Sequence, residues 1–340
     1  MIFKKYNNCI YCGSKNLKKE KDQSITKNFY LEAIISDLNI DLKELTKSKV
    51  YKCQKCKILQ NNPWFKESIT RRIYSNIYGQ HNRSWSNLLN FLKKGKTPDH
   101  GLLYELLNKN IKIKNYAEFN SPFMGLMLNF FKTEYKKNIY FYRNVLKSIT
   151  NYLSSRQVAG KSAYYKKKST HKAKKFLQKN TELKQKNLIK KKINKYLFID
   201  NSSLCWGEND NYKSVNSKSF ASELLDLEIL DISRKNNFKK IDLFGIFHTL
   251  DHTYEPNKIL NFALDKSKYV IVYCHVDKKI EKQHLFSITD QFLEYLNKKK
   301  IYTLDLTNYI DKNYKAPEMY FLCSKSNALI RSFSKMLASK

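Results

Sequence analysis

Short apolar runs alternate with helical patterns along the C-terminal half of the chain. Strands that alternate with helices predict a mainly parallel α/β sheet. The last two runs enclose a loop containing Pro317, and they predict a hairpin at one edge of that sheet. The predicted strands cover residues 196–200, 227–232, 241–247, 269–275, 301–306 and 319–323.

Two regions ahead of these strands have helical character. From Trp64 to about Leu107, apolar residues such as Ile69 and Ile73 recur at helical spacing. Lysine runs between 132 and 195 predict a solvated, largely helical insertion. The pattern divides the chain into a module at 1–62, a helical linker at 63–110, a Rossmann-like domain at 111–131 and 196–325, and the insertion at 132–195.

Lysine dominates the charge of the chain. The formal net charge is +34, and only seven of the 64 basic residues are arginines. Abundant Lys, Asn, Ile, Tyr and Phe with few Gly and Pro are typical of composition drift in an AT-rich genome, and we favour this interpretation. A nucleic-acid surface is the second interpretation, although readers of phosphates and bases usually use Arg. An anionic membrane surface or another acidic partner is the third.

The sequence gives no sign of a membrane segment. No stretch approaches the roughly 18 to 20 consecutive apolar residues of a spanning helix. The start, from Met1 to Lys5, lacks the apolar segment of a secretion signal. We therefore expect a soluble, cytoplasmic protein.

Four of the seven cysteines form two Cys-x-x-Cys pairs, Cys9 with Cys12 and Cys53 with Cys56. Each pair places two thiolates on one tight turn, and four thiolates complete the tetrahedral shell of a structural Zn²⁺. The alternative is two unrelated reduced pairs or a redox dithiol. The remaining residues, Cys205, Cys274 and Cys323, are expected to be buried small apolar side chains.

Polar residues follow two of the predicted strands. Glu118 ends a first strand, and Gly125 is the single glycine of the turn after it, where helix amides could face an anion. An ordinary strand-to-helix connection is an equal alternative. Asp251 and His252 follow the strand at 241–247 and could act as orienter and base. A capping or packing role is their alternative.

These motifs together resemble two related families. From about Tyr116 to Cys323 the chain resembles the class I methyltransferases that use S-adenosylmethionine. Residues 9–60 resemble the zinc-binding module of the sugar C-methyltransferases. The shared features are the second cysteine pair followed by Gln60, a tyrosine-bearing helix at 73–78, Leu-Asp251-His252-x-x-x-Pro256 in place of Leu-Glu-His-x-x-x-Pro, and His284 with Phe286 ahead of a helix.

The resemblance implies a role for each acidic strand end. Glu118 and Gly125 would lie beside the methionine part of the cofactor, Asp200 would bind the ribose hydroxyls, and Asp231 would face the adenine amine. His252 would be the base or a substrate-binding residue. Where the family has Glu-x-Gly-x-Gly-x-Gly, this chain has Asn120, which tolerates the left-handed backbone region, and Pro122, which removes an amide.

The sequence thus predicts a Rossmann-like class I methyltransferase sheet with an N-terminal zinc-binding module and a Lys-rich helical insertion. The predicted function is methyl transfer from S-adenosylmethionine to a small substrate, such as a nucleotide-linked sugar or another surface-glycan precursor. The predicted cofactors are S-adenosylmethionine and a structural Zn²⁺. The alternative function is a non-catalytic or RNA-binding protein with a zinc ribbon and a degenerate methyltransferase fold.

Overall fold

The structure is a computed structural model. It describes residues 2–20, 39, 48–67, 69, 100–113, 115–119, 126, 195–200, 228–231, 241–247, 250–276, 284–310 and 318–339. Several predictions fall on other residues and lie outside this set: Asn120, Gly125, Cys205, the tyrosine-bearing helix at 73–78 and the insertion up to residue 194.

The described residues form three sheets and five α-helices. The strands are β1 (Phe3–Lys4), β2 (Leu17–Lys19), β3 (Lys49–Cys53), β4 (Leu59–Asn62), β5 (Trp64–Phe65), β6 (Asn115–Phe119), β7 (Lys195–Asp200), β8 (Glu228–Asp231), β9 (Ile241–Phe247), β10 (Ser267–His275), β11 (Phe286–Ser287), β12 (Tyr302–Asp305) and β13 (Glu318–Ser324). The helices are α1 (Gly101–Asn110), α2 (Pro256–Lys266), α3 (Asp290–Lys298), α4 (Thr307–Ile310) and α5 (Asn327–Ala338).

Seven strands form the main sheet in the order β12-β13-β10-β9-β6-β7-β8. Strands β8, β7, β6, β9 and β10 pair in parallel, whereas β13 runs antiparallel to both β10 and β12. The chain leaves β6 on one side towards β8 and returns to β9 on the other side. This 3-2-1-4-5 order is that of a doubly wound sheet, and its switch point lies between β6 and β9.

The six strands predicted from apolar runs all form, and the predicted hairpin between the last two is confirmed. Thr303 of β12 pairs with Cys323 of β13. Every residue of β9 is buried, and so is nearly all of β13, because both strands lie inside the sheet with helices against them. The edge strand β12 is only half-buried.

The helices bury apolar residues at helical spacing. Helix α2 begins at Pro256, whose fixed φ suits the first helical position, and buries Ile259 and Ala263. Helix α5 is capped by Ser326, whose hydroxyl accepts a hydrogen bond from the Leu329 amide at 3.4 Å. Helix α1 confirms the helix predicted around 102–107. Within the described part of the chain, no helix is long and apolar enough to cross a membrane.

The helical pattern predicted from Trp64 onward is wrong at Trp64 and Phe65. They form β5, which pairs antiparallel with β1. Both rings are about 1% exposed, and Phe65 stacks on Phe3 with ring centroids 4.8 Å apart. Pairing with a strand distant in sequence and burial of both rings outweigh the local spacing.

Candidate functional site

The two cysteine pairs sit on turns with the same backbone hydrogen bonds. The Cys12 amide donates to Cys9 Sγ, and the Cys56 amide donates to Cys53 Sγ, each at 3.5 Å. The residue after each pair closes its turn with an amide-to-carbonyl bond of 2.9 Å, from Gly13 to Cys9 and from Lys57 to Cys53. The two turns are therefore equivalent knuckles that direct two sulfurs to one point.

The four sulfurs are spaced to suit one tetrahedral ion. All four lie within 4.8 Å of one another, with Cys9 Sγ 3.4 Å from Cys56 Sγ and Cys12 Sγ 3.6 Å from Cys53 Sγ. A tetrahedral Zn²⁺ with Zn–S bonds of 2.3 Å would separate its sulfurs by about 3.8 Å. The cluster could therefore hold a metal ion with little rearrangement.

Burial and hydrogen bonding shift the pKa values of Cys9 and Cys12 in opposite directions. The hydrogen bond between the Cys56 and Cys9 sulfurs lowers the pKa of Cys9 to about 6. Burial raises the pKa of Cys12 to about 11. Metal binding to such a cluster would release the thiol protons, because the thiolate is the form that binds a cation.

Amide side chains on β4 hold the first knuckle in place. Gln60, about 1% exposed, accepts a hydrogen bond from the Ile10 amide at 3.0 Å and donates to the Asn8 carbonyl at 3.4 Å. Asn62 bonds the backbone of Tyr6 in the same two-sided way. Gln60 belonged to the motif behind the family resemblance, whereas nothing in the sequence singled out Asn62.

The cysteine cluster is packed against the helix that precedes the edge of the main sheet. Tyr11, between the first two cysteines, meets Phe292 of α3 edge-on with ring centroids 4.8 Å apart. Burial raises the pKa of Tyr11 well above its usual range. The Thr289 hydroxyl, just before α3, donates to the Lys57 carbonyl at 3.0 Å. The cysteine cluster and the α/β sheet thus share one core.

His284 and Phe286, the other residues of the resemblance, connect the segment ahead of α3 to the four-stranded sheet. The Asn61 side-chain amide donates to the His284 carbonyl at 2.7 Å. Phe286 lies in β11, which pairs antiparallel with Leu59 and Gln60 of β4. The segment ahead of α3 therefore completes the four-stranded sheet β11-β4-β3-β2.

The three predicted acidic residues lie at the carboxyl ends of β6, β7 and β8, on one side of the switch point. Asp200 and Asp231 are the last residues of β7 and β8 and are directly opposed in the parallel register. Glu118 is the penultimate residue of β6 and pairs with Phe198 and Gly245 on either side. Ligands of doubly wound sheets bind at this edge. The backbone therefore brings all three positions to one edge.

Asp251 and His252 form a short 3₁₀ turn after β9. Asp251 is fully buried. Burial of the Cys274 thiol on β10 raises the pKa of that thiol well above its usual range, and the nearby charge of Asp251 raises it further. The next residue but one, Thr253, accepts a hydrogen bond from the Glu255 amide at 3.2 Å through its hydroxyl. Asp251 is therefore an interior residue of this turn.

A cluster around His100 was not predicted. His100 precedes α1 with a left-handed φ of 62°, and its Nδ1 lies 3.3 Å from the Tyr320 hydroxyl. Its ring is 4.8 Å from that of Phe247 and 4.9 Å from that of Tyr273. The Tyr273 hydroxyl donates to the Glu318 carboxylate. The cluster lies at the carboxyl ends of β9 and β10, but its members are too distant in sequence to be linked by any local pattern.

The sequence matches no protein-family model and no curated protein. Among solved structures, the chain is similar to the plantazolicin methyltransferase BpumL in complex with SAH. That similarity covers 75% of this chain and 95% of the other, at 11% identity and a TM-score of 0.32. The chain is also similar to a dimethyladenosine transferase from Plasmodium falciparum, over 67% of this chain and 62% of the other, at 11% identity and a TM-score of 0.24.

Proposed function

We propose that the chain is a methyltransferase that uses S-adenosylmethionine. The observation that carries the proposal is the position of Asp200 and Asp231, which are opposed at the carboxyl ends of the neighbouring parallel strands β7 and β8, on the β6 side of the switch point. Two carboxylates at this edge suit a ligand with several hydrogen-bond donors, such as the ribose and amine of an adenosine group.

The residues at this edge fit the cofactor by their chemistry. Asp200 would accept hydrogen bonds from the ribose hydroxyls, Asp231 from the adenine amine, and Glu118 would face the methionine ammonium. Asn120 would supply the left-handed backbone that the family takes from glycine. The cofactor, when bound, supplies a methyl group on a sulfonium centre.

The chain's own residues would prepare the acceptor. His252 would take a proton from the acceptor, because a neutral imidazole accepts protons near neutral pH. Asp251, the buried residue that precedes His252 in the same turn, would hold the turn in place. We propose a small acceptor, such as a nucleotide-linked sugar, whose orientation relative to the sulfonium would provide much of the rate.

The cysteine cluster would hold a structural zinc. Four sulfur ligands fill a tetrahedral shell and leave no open position for a substrate or water. The zinc would stabilise the knuckles on which Tyr11 packs against α3.

A second candidate is a non-catalytic or RNA-binding protein with a degenerate methyltransferase fold. The observation that favours it is the turn after β6, where the sequence has Pro122 and the single glycine Gly125. Pro122 removes one of the backbone amides that would face a carboxylate.

Calorimetric titration of the metal-loaded protein with S-adenosylhomocysteine, without nucleic acid, tests the leading proposal. We expect saturable 1:1 binding that changes little between low and moderate salt. Absence of binding would favour the second candidate. A thermal-shift panel of nucleotide sugars in the presence of the cofactor then tests the acceptor class, since a true acceptor raises the melting temperature by mass action.

A further inference from the structure

The positive charge differs between residues 1–62 and residues 241–339. Residues 1–62 contain thirteen lysines against six acidic residues, whereas 241–339 contain fourteen basic against eleven acidic residues. The contrast sharpens in the described part of these ranges, with nine lysines against one glutamate in the first and nine basic against eight acidic residues in the second.

Register shows that two of these lysines are close together. Lys18 of β2 lies directly opposite Lys52 of β3, a spacing of about 5 Å between Cβ atoms. Lys15 and Lys55 are exposed, and each is next in sequence to one end of a 2.9 Å bond from the Gln54 amide to the Asn16 carbonyl, just beyond the ends of the two strands. We call these four residues the lysine face.

Two structural explanations account for only part of the lysine face. Lysines on an edge strand such as β2 discourage sheet-to-sheet aggregation, but Lys52 lies on the inner strand β3. Four thiolates around Zn²⁺ carry a net charge of −2, which two lysines would balance. Like charges placed directly opposite on a sheet are destabilising, so the lysines beyond those two destabilise the fold.

Two lysines in residues 241–339 form ion pairs with carboxylates. The Lys268 ammonium lies 2.7 Å from the Asp242 carboxylate, and Lys325 pairs with Asp265. Lys18 and Lys52 of the lysine face, in contrast, place like charges opposite one another, one register position from Cys53 of the cysteine cluster.

We infer that the lysine face binds the phosphate backbone of a nucleic acid. Lysine acts as a point charge without the planar donor fork that reads guanine, so binding would not depend on base sequence. A membrane surface fits less well, because the large apolar side chains that are exposed in the described residues, Leu102 and Tyr309, lie on α1 and α4 and not on the module. The inference holds whether or not the main sheet binds a cofactor.

A fluorescent 20-nucleotide poly(U) RNA titrated into the full-length, zinc-loaded protein tests the inference. The variant Lys18→Gln/Lys52→Gln should weaken binding roughly tenfold at 0.15 M salt and should flatten the slope of log K against log salt by about 1.4. Lys15→Gln/Lys55→Gln, which changes only the loops, should have a similar effect. The matched control is Lys298→Gln/Lys299→Gln, two exposed lysines at the end of α3, which should bind as the wild type does.

Zinc content and the melting temperature of each variant establish that the fold is intact. No RNA binding by the wild type, or equal weakening in the control and lysine-face variants, would overturn the inference. So would tighter binding to phosphatidylserine vesicles than to RNA. Competition by pyrophosphate at the same total phosphate concentration would also overturn it, because a polyanion gains from several phosphates at once.

Discussion

Asn62 holds the backbone of Tyr6 at both of its hydrogen-bonding groups. Its side-chain oxygen accepts from the Tyr6 amide at 2.9 Å, and its side-chain nitrogen donates to the Tyr6 carbonyl at 2.7 Å. The side chain therefore substitutes for a neighbouring strand. Because Asn62 is buried, removal of the amide leaves polar backbone groups without these bonds.

Asn62→Ala should lower the free energy of unfolding by about 2 kcal/mol, the sum of two ordinary hydrogen bonds. Urea denaturation of the metal-loaded protein measures this change. The control is Asn261→Ala, which removes an exposed side-chain bond to Asn257 on α2 and should cost under about 0.5 kcal/mol. Equal costs at the two positions would contradict the role assigned to Asn62.

The two knuckles differ in the residue that takes the left-handed conformation. Gly13 has a φ of 69° and Lys57 a φ of 67°. A Cβ on Gly13 would meet nothing within 4 Å, so its substitution carries a purely conformational cost. Gly13→Ala should lower the free energy of unfolding by about 1 kcal/mol, and Lys57→Gly should leave it equal or raise it slightly. Denaturation curves in which both substitutions destabilise equally would contradict this.

The sequence predicted those features that rest on local pattern. Apolar runs located the six C-terminal strands, because runs of this kind are typical of strands inside a sheet, as the burial of β9 and of nearly all of β13 shows. The cysteine pairs located their own cluster, because each knuckle is set by two residues within one turn. Trp64 and Phe65 were misassigned because a two-residue strand has no period and depends on its partner β1.

Features formed by contacts distant in sequence were not predicted. His100 and Tyr320 are 220 residues apart, and Asn61 is 223 residues from His284. Polar side chains in a strand normally indicate a solvent-facing side, yet every residue of β4 is buried. They can be buried because their amides bond to backbone groups that only the tertiary fold brings near.

Natively purified protein should contain one zinc per chain by elemental analysis. Cys53→Ser should lower both the metal content and the melting temperature, because metal ligation contributes directly to folding. Cys323→Ala is the control: this buried thiol lies on β13 outside the cluster, so the variant should lose some packing energy but keep its zinc. Wild-type protein without zinc, or loss of zinc in the control, would contradict the prediction.

Residues 160–192 should be dispensable for the core fold. Their lysine runs offer no continuous apolar face, so their removal should sacrifice little buried surface. Thermal unfolding of the deletion variant should remain cooperative, and its zinc content should stay at the wild-type level. A broad, non-cooperative transition with loss of zinc would show that this segment belongs to the core.

Asp200 and His252 should affect different steps if the chain is a methyltransferase. Asp200 ends β7 at the edge where the adenosine part of the cofactor would lie, whereas His252 follows β9 on the other side of the switch point. Asp200→Ala should weaken S-adenosylhomocysteine binding by roughly 1.5 to 3 kcal/mol, the range for a hydrogen bond to a charged group. This corresponds to about tenfold or more in affinity by calorimetry.

His252→Ala should leave this affinity nearly unchanged, since the imidazole would act on the acceptor and not on the cofactor. It should instead lower turnover once an acceptor from the nucleotide-sugar panel is identified. Asp200→Asn separates charge from shape: it keeps one acceptor oxygen, so its affinity should lie between those of the wild type and Asp200→Ala. Equal affinities for all the Asp200 variants would place the ribose elsewhere, and a loss of affinity in His252→Ala would move the imidazole from the acceptor side to the cofactor side of the site.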